Sequence, residues 1–219
     1  MSELRISTAA QGTPEWLAAR AGHLTGSRAA DIVARRKDGQ PAAAYHDYLT
    51  QMVAERLTGQ PQETGIVTPW MTRGTELEPE ARAALERHLD RPIFECGFVS
   101  WDEPRIGCSV DGYLDGSIKH GIVELKCPKP TTHLRYLRDG KVPDDYRWQV
   151  LHNMLVTGAQ SAIFASYCPQ MPEHLRLIVQ QVDREAWAED LVQYWVTLKT
   201  FDAVVNEQVE YWRHYGIAE

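Results

Sequence analysis

Two acidic side chains and a lysine are spaced so that they can meet on one face of a β-sheet. Asp111 lies in the segment RIGCSVDGYL, and thirteen residues later the segment GIVELKC carries Glu124, with Lys126 two residues on. Turn residues between the segments predict two neighbouring strands. Because residues i and i+2 of a strand point to the same side, Glu124 and Lys126 project together. Two carboxylates beside an ammonium group suit a hard divalent cation and the activation of a water next to it.

The spacing alone also fits a less specific interpretation. An exposed hairpin with a cross-strand ion pair would show the same residues, and such a pair stabilises by about 1 kcal/mol or less. The residues around Glu124 and Lys126 are apolar, however, as in a strand buried on both faces. Since unpaired buried charge is costly, this context favours a functional site. Asp115, the nearest rival to Asp111, is followed by Gly and is typical of a turn.

Length and composition predict a single domain over residues 1–219. The chain has 43% hydrophobic and 24% charged residues and no apolar run long enough to predict a membrane span. Its N-terminus lacks the basic and apolar regions of a signal peptide. The four cysteines show no CxxC spacing, which argues against a zinc site and indicates reduced thiols in a cytosolic protein.

The net charge of −7 does not exclude a nucleic-acid ligand, because a local basic patch decides phosphate binding. Two candidate patches are visible. The first is Arg35–Lys37, and the second combines Lys129 and Lys141 with Arg135 and Arg138.

The order of elements predicts an α/β fold with a mixed central β-sheet flanked by helices. A helical part covers about 13–90, the catalytic strands about 93–127, and a helix, two strands and a helix make up the remainder. Helices are expected at Pro14–Ala21 with Thr13 as N-cap, Arg28–Ala34, Ala42–Thr58, Thr75–Leu89, Asp144–Thr157 and Asp183–Val209. Strands are expected at Ile93–Ser100, Ile106–Leu114, Gly121–Cys127, Ala162–Cys168 and Leu175–Val182.

An ordered set of motifs resembles the phage lambda exonuclease and YqaJ viral recombinase group, from about Gln11 to about Tyr215. The motifs are Glu15-Trp16…Arg20, Leu24-Thr25-Gly26-Ser27, Gly74-x-x-x-Glu78-x-x-Ala81-Arg82, Cys108-Ser109-Val110-Asp111-Gly112, Glu124-Leu125-Lys126-Cys127-Pro128 and Tyr146-x-x-Gln149. The resemblance implies a nuclease core like that of restriction endonucleases, within the superfamily that shares the Asp…Glu-x-Lys arrangement. At position 110 the chain has Val where the group often has Pro.

The resemblance also implies an activity. Members of this group digest one strand of linear double-stranded DNA from its 5′ end, release 5′ mononucleotides and leave a 3′ single-stranded tail for annealing-type recombination. It implies Mg²⁺, with Mn²⁺ as a substitute and two ions per site, and a ring-shaped homotrimer around DNA. A single-strand annealing protein is the implied partner, in the cytoplasm of a bacterial host of a phage or prophage.

The implied metal site uses oxygen ligands. Asp111, Glu124 and the backbone carbonyl of Leu125 would bind the cation, and Glu78 matches the acidic ligand that the group carries on a helix. Lys126 would orient the attacking water or stabilise negative charge in the transition state. Apart from the resemblance, Glu78 could be a surface carboxylate on an acidic helix that also carries Glu76, Glu80 and Glu86.

Tyr146 and Gln149 match the last motif of the group, on the helix after the catalytic strands. The resemblance implies that both are catalytic residues. Their alternative roles are a packed tyrosine and a solvated glutamine.

The implied DNA contacts lie earlier in the chain. Arg20, Ser27 and Ser109 match a pocket for the 5′-terminal phosphate, to which a helix starting at Arg28 would add its positive end. Ser27 is also a plausible N-cap, and Arg20 a surface arginine. Lys37 could contact the duplex backbone, and Met71 matches an apolar wedge that separates the terminal base pair, although an apolar loop residue is often only packed.

Three classes of protein therefore remain open. The first is the 5′-to-3′ exonuclease. The second is another Asp…Glu-x-Lys enzyme, such as a restriction endonuclease or a CRISPR-associated exonuclease; the chain lacks the four-cysteine iron–sulfur pattern of the latter. The third is a non-catalytic module that binds DNA ends.

Overall fold

The computed structural model describes residues 3–62 and 69–216. Its helices are α1 Pro14–Arg20, α2 Ala29–Val33, α3 Ala43–Thr58, α4 Pro69–Leu89, α5 Pro130–Asp139, α6 Asp144–Thr157 and α7 Ala188–His214. Its strands are β1 Arg5–Ile6, β2 Leu24–Thr25, β3 Ile93–Phe94, β4 Val99–Trp101, β5 Ile106–Cys108, β6 Gly112–Leu114, β7 Ile122–Lys126, β8 Ser161–Tyr167 and β9 Leu177–Asp183. Short 3₁₀ turns lie at Gly26–Arg28 and Glu173–Leu175.

The strands form two mixed sheets within an α/β fold, which confirms the predicted fold class. The smaller sheet has the order β1-β4-β5-β2, with β2 and β5 parallel. The larger sheet has the order β3-β6-β7-β8-β9, with β7 and β8 parallel and the other pairs antiparallel. Strand β7 is central in the larger sheet, so its side chains are buried from both faces.

Helices cover both faces of the larger sheet. On one face Leu85 of α4 packs with Val123 and Leu125 of β7. On the other face Leu151 and Met154 of α6 join the larger core, which includes Ile122. The alternation along β7 therefore directs Glu124 and Lys126, which share the side of Ile122, towards α6.

Helix α6 packs over the face of β7 that carries Glu124 and Lys126, and it has the predicted boundaries. Asp144 and Asp145 occupy its first turn, where the helix dipole favours carboxylates, and Gly158 ends it in the left-handed conformation at φ 70°. Buried His152 attaches the helix to the smaller sheet, with its ring nitrogens 2.8 Å from the Tyr194 hydroxyl and 2.9 Å from the Gly107 carbonyl oxygen. Burial lowers the pKa of His152 to about 4, so the ring is neutral at pH 7.

Two predicted strands are wrong as single elements. The segment Ile93–Ser100 divides into β3 and β4, and Ile106–Leu114 divides into β5 and β6, with the halves in different sheets. Between β3 and β4 the chain passes from one sheet to the other, and there the backbone of Gly97 lies close to that of Ser7. A Cβ on Gly97 would lie 2.1 Å from the carbonyl oxygen of Ser7. Asp111 consequently lies in the connection between β5 and β6 rather than within a strand.

Other differences concern boundaries and short elements. Helix α4 starts at Pro69 instead of Thr75. Helix α7 covers Ala188–His214 instead of Asp183–Val209, since β9 ends at Asp183 and residues 184–187 form a turn. Strands β1 and β2 were not predicted because each has two residues, too few for a periodic pattern. Helix α5 was also missed, although Pro130 at its first turn and Gly140 in the left-handed conformation at its end are recognisable signals.

Candidate active site

Strand β7 and the connection before β6 bring Asp111, Glu124 and Lys126 together, as the spacing predicted. The Lys126 ammonium nitrogen contacts Glu124 Oε1 and lies 3.8 Å from Asp111 Oδ2. Asp111 is held by β7 at two points. Its backbone N–H donates to the Val123 carbonyl at 3.1 Å, and its Oδ2 accepts from the Leu125 N–H at 2.7 Å.

Glu124 is 3% exposed, and its carboxylate is bound by three donors. Besides Lys126, Gln149 Nε2 donates to Oε1 at 2.6 Å and Asn153 Nδ2 donates to Oε2 at 3.1 Å. Gln149 therefore contacts the candidate metal ligand Glu124, while its catalytic role stays a prediction. Asn153 was not predicted, although its spacing of four from Gln149 on α6 places both amides on one helix face.

Helix α4 contributes Glu78 from the opposite face of the larger sheet. Glu78 Oε1 accepts from Arg82 Nη2 at 3.0 Å, and the same guanidinium donates to the Asp111 carbonyl at 2.6 Å and pairs with Glu95 at 2.8 Å. Arg82 thus connects Glu78 to the segment of Asp111.

Two other acids of α4 make structural contacts outside the site. Glu80 accepts from the Tyr167 hydroxyl, and Glu86 accepts from the Ile93 N–H at 2.9 Å.

The acidic residues of the site act on one another electrostatically. Burial and, to a smaller extent, repulsion by Asp111 raise the pKa of Glu124 to about 7, against the opposing attraction of Lys126. Burial, then repulsion by Asp111, also raises the pKa of Glu78. For Lys126, burial alone would lower the pKa, but the attraction of Glu124 and Asp111 outweighs it and the pKa is raised. Lys126 therefore remains protonated between the two carboxylates.

The donor set fits a hard divalent cation. All the candidate ligands are oxygen atoms, and a cation would relieve the mutual repulsion of the three acids. In residues 3–62 and 69–216, however, no three His, Cys, Asp or Glu side chains form a compact metal-binding group. A cation that bound Glu124 through Oε1 would have to displace Lys126 from that atom.

Two clefts meet at Glu78. One, of about 520 Å³, lies between α4, the end of β7 and Tyr146, and is lined by Lys126 and Lys129. The other, of about 910 Å³, lies on the side of Asp111 and the N-terminal segment 6–11. Both are in the size range of sites that bind small molecules.

Tyr146 contacts both the site and the core. Its ring lies 5.2 Å from the Lys126 nitrogen, an arrangement that favours the ammonium form. The same ring packs against Phe164 at a centroid distance of 5.4 Å. Tyr146 therefore packs in the core against Phe164 and also contacts the candidate catalytic residue Lys126.

The candidates for the phosphate pocket lie on neighbouring segments. Thr25 of β2 pairs with Gly107 of β5, and the two strands are parallel. Ser27 lies two residues after Thr25, and Ser109 lies two residues after Gly107, so both serines follow the same end of the strand pair. Trp16 connects Ser109 with Arg20. Its Nε1–H donates to Ser109 Oγ at 2.9 Å, and the Arg20 guanidinium stacks on its ring with Cζ 4.2 Å from the ring centroid. The motif contained Trp16, but a role for its indole N–H could not be derived from spacing.

The predicted local structure around Ser27 is wrong in two respects. Ser27 lies inside the 3₁₀ turn Gly26–Arg28, so it is not the N-cap of a helix. Helix α2 begins at Ala29, not Arg28, and has only five residues. Its dipole is therefore too short to add much to anion binding.

The two predicted basic patches are exposed and largely paired with nearby acids. Arg36 binds Asp38 at 2.8 Å beside exposed Lys37. In the second patch the pairs are Arg135–Asp145, Arg138–Asp139 and Lys141–Asp144. Exposed pairs contribute about 0–1 kcal/mol, so phosphate could replace the acids. The side chain of Met71 lies outside the described residues.

Comparison with solved structures places the chain among exonuclease folds. The crystal structure of an alkaline exonuclease (LHK-Exo) from Laribacter hongkongensis is 30% identical, with 92% of this chain and 97% of that chain covered and a TM-score of 0.80. The structure of LHK-Exo in complex with dAMP matches with the same identity and coverage and a TM-score of 0.79. A phage-related exonuclease from Haemophilus somnus 129PT, 14% identical over 85% of this chain and 96% of that chain, shares the fold with a TM-score of 0.58.

Sequence comparison agrees with the structural result. No curated protein sequence matched the chain. A family model described as YqaJ-like viral recombinase domain matches residues 15–160, which include Arg20, Glu78, the Asp111–Lys126 cluster and Gln149. This chain belongs to the family of YqaJ-like viral recombinase domains.

Proposed function

We propose that this chain is a Mg²⁺-dependent exodeoxyribonuclease that degrades one strand of linear double-stranded DNA from the 5′ end. It would release 5′ mononucleotides and leave 3′ single-stranded tails for annealing-type recombination. The observation that carries the proposal is the Lys126 ammonium between Asp111 and Glu124 at the edge of the 520 Å³ cleft. The relatedness to an alkaline exonuclease that was crystallised with dAMP supports DNA as the substrate.

The chain's own groups suggest how hydrolysis proceeds. Asp111, Glu124, the Leu125 carbonyl and Glu78 would hold Mg²⁺, with Mn²⁺ as a substitute and two ions per site. When bound, the metal would polarise the scissile phosphate and lower the pKa of a water. Once displaced from Glu124, the Lys126 ammonium would orient that water and stabilise negative charge on the phosphate. The water oxygen bonds to phosphorus, the P–O3′ bond breaks, and the leaving 3′ oxygen takes a proton.

Gln149 and Tyr146 would prepare this arrangement. The Gln149 amide holds Glu124 Oε1, which fixes the rotation of the carboxylate when Lys126 moves away. The Tyr146 ring favours the charged form of Lys126. Both are therefore proposed to position catalytic groups, without exchanging protons with the substrate.

A comparison of DNA substrates tests the function. With Mg²⁺, the protein should degrade linear duplex and leave covalently closed circular duplex intact, and EDTA should stop degradation. Mononucleotides should be the acid-soluble product. Cleavage of circles would instead indicate a restriction-type endonuclease, and binding of ends without cleavage would indicate a non-catalytic module.

We further propose that the enzyme acts as a closed ring, most simply a trimer, because one chain of 219 residues cannot enclose duplex DNA. Exposed aromatic residues at the end of α7, Tyr211, Trp212 and Tyr215, offer apolar surface for such contacts. Lys37 and the basic residues of α5 would lie nearer the channel. The tailed product would pass to a single-strand annealing protein in the cytoplasm of a bacterial host.

Light scattering tests the ring. A trimer is expected at micromolar concentration, together with processive digestion of one DNA molecule before the next. A monomer that digests DNA processively would contradict the ring.

Among the described residues no helix is long and apolar enough to span a membrane.

A further inference from the structure

The carboxylate of Glu124 is held by two side-chain amides of α6, those of Gln149 and Asn153. Gln149 and Lys126 both donate to Oε1, whereas Asn153 Nδ2 donates to Oε2. If Lys126 leaves Oε1, Gln149 still holds that oxygen and Asn153 holds Oε2 at 3.1 Å. The plane of the carboxylate is fixed only when both oxygens are held, so Asn153 is needed beside Gln149.

The orientation of the Asn153 amide follows from its two neighbours. Asn153 is 1% exposed, and in the part of the chain that the structure describes its Oδ1 has no conventional hydrogen-bond partner. The Glu124 carboxylate accepts from Lys126 and Gln149, so in a reversed amide Oδ1 would face another acceptor oxygen, which is repulsive. The donor must therefore point to Glu124, and the unpaired acceptor must point the other way.

The unpaired oxygen faces a glycine. A Cβ on Gly26 would lie 2.2 Å from Asn153 Oδ1, a distance that no side chain could keep. Gly26 does not have a positive φ, so close approach and not backbone conformation requires glycine here. Only a hydrogen atom fits on the side of the Gly26 Cα that faces Oδ1.

We propose that Asn153 is a positioning residue for Glu124 and that Gly26 sets how closely the Ser27 turn approaches it. The inference rests on the proposed function, because it assigns these residues to the spacing between the metal ligand and the phosphate pocket. Gly26 begins the 3₁₀ turn that carries Ser27, so the contact Gly26–Asn153–Glu124 joins the two parts of the site. A fixed spacing between terminal phosphate and metal is what a one-nucleotide product requires.

Metal binding in the absence of DNA tests the role of Asn153. By titration calorimetry with Mn²⁺, Asn153→Ala should bind about 10- to 100-fold more weakly than the parent, as is usual when a partner of a metal ligand is removed. Asn206→Ala is the matched control, since Asn206 bonds Arg56 and Asp202 away from the site. It should bind Mn²⁺ like the parent. Asn153→Ser, which removes less volume, repeats the test if the alanine variant folds poorly.

The outcomes separate the two proposals. If the parent itself binds no Mn²⁺, the proposed metal-dependent function fails. If the parent binds and the Asn153 variants bind equally well, or if Asn206→Ala loses as much affinity, the positioning role is overturned.

Gly26→Ala adds a second, independent measurement. Alone it should weaken Mn²⁺ binding, because the new methyl group displaces the Asn153 amide. In the Asn153→Ala background it should have little further effect, since the atom with which it collides is gone. Equal losses in both backgrounds would show that Gly26 does not act through Asn153.

Discussion

Lys126→Met should lower the rate of DNA hydrolysis about 1,000-fold, the middle of the range for loss of one group that acts in proton transfer or on transition-state charge. Binding of DNA ends should persist, because affinity for nucleic acid comes mainly from phosphate contacts elsewhere. The measurements are single-turnover hydrolysis of linear duplex and a separate end-binding assay in Ca²⁺.

The same variant distinguishes water activation from metal binding. Lys126 contacts Glu124 Oε1, an oxygen atom that the proposed cation would share with it. Lys126→Met removes this competitor, so Mn²⁺ should bind at least as tightly as in the parent while hydrolysis is lost. A loss of both properties would mean that Lys126 serves to assemble the metal site.

Lys199→Met is a suitable control, since exposed Lys199 stacks on Trp195 of α7, away from the cleft. It should retain parental activity. Lys126→Met must also be shown to fold, because loss of the Lys126 ammonium leaves the buried Glu124 carboxylate without a positively charged partner. Full hydrolytic activity in folded Lys126→Met would contradict the proposed mechanism.

The central site could be predicted because its residues are close in sequence and obey strand periodicity. Glu124 and Lys126 share a face of β7 whatever the rest of the fold does. Helix α6 could be predicted as well, because its apolar residues and Gly158 mark its length.

Contacts between distant segments could not be predicted. The division of Ile106–Leu114 between two sheets depends on which strands pair, and pairing is not encoded in local periodicity. Asn153 was missed for a related reason: a buried asparagine on a helix becomes meaningful only when its partners, Glu124 and Gly26, are known.

Arg20→Ala should remove the enzyme's preference for a 5′-phosphorylated end. In the parent, a duplex with a 5′-phosphate should be degraded about 10- to 100-fold faster than one with a 5′-hydroxyl, which corresponds to a charge-assisted hydrogen bond of about 1.5–3 kcal/mol. In Arg20→Ala the two rates should approach each other, mainly because the phosphorylated end becomes slower. Arg5→Ala, which alters an exposed pair with Asp102, is the matched control and should keep the preference.

Trp16→Phe gives this prediction a finer test. Trp16 supports Arg20 with its ring and donates to Ser109 through Nε1–H, so its two contacts can be separated. Phenylalanine keeps an aromatic surface under Arg20 but releases the Ser109 hydroxyl. The preference for a 5′-phosphate should therefore fall only in part, to a value between those of the parent and Arg20→Ala. Equal rates on both kinds of end in the parent would refute the phosphate pocket, whatever the variants do.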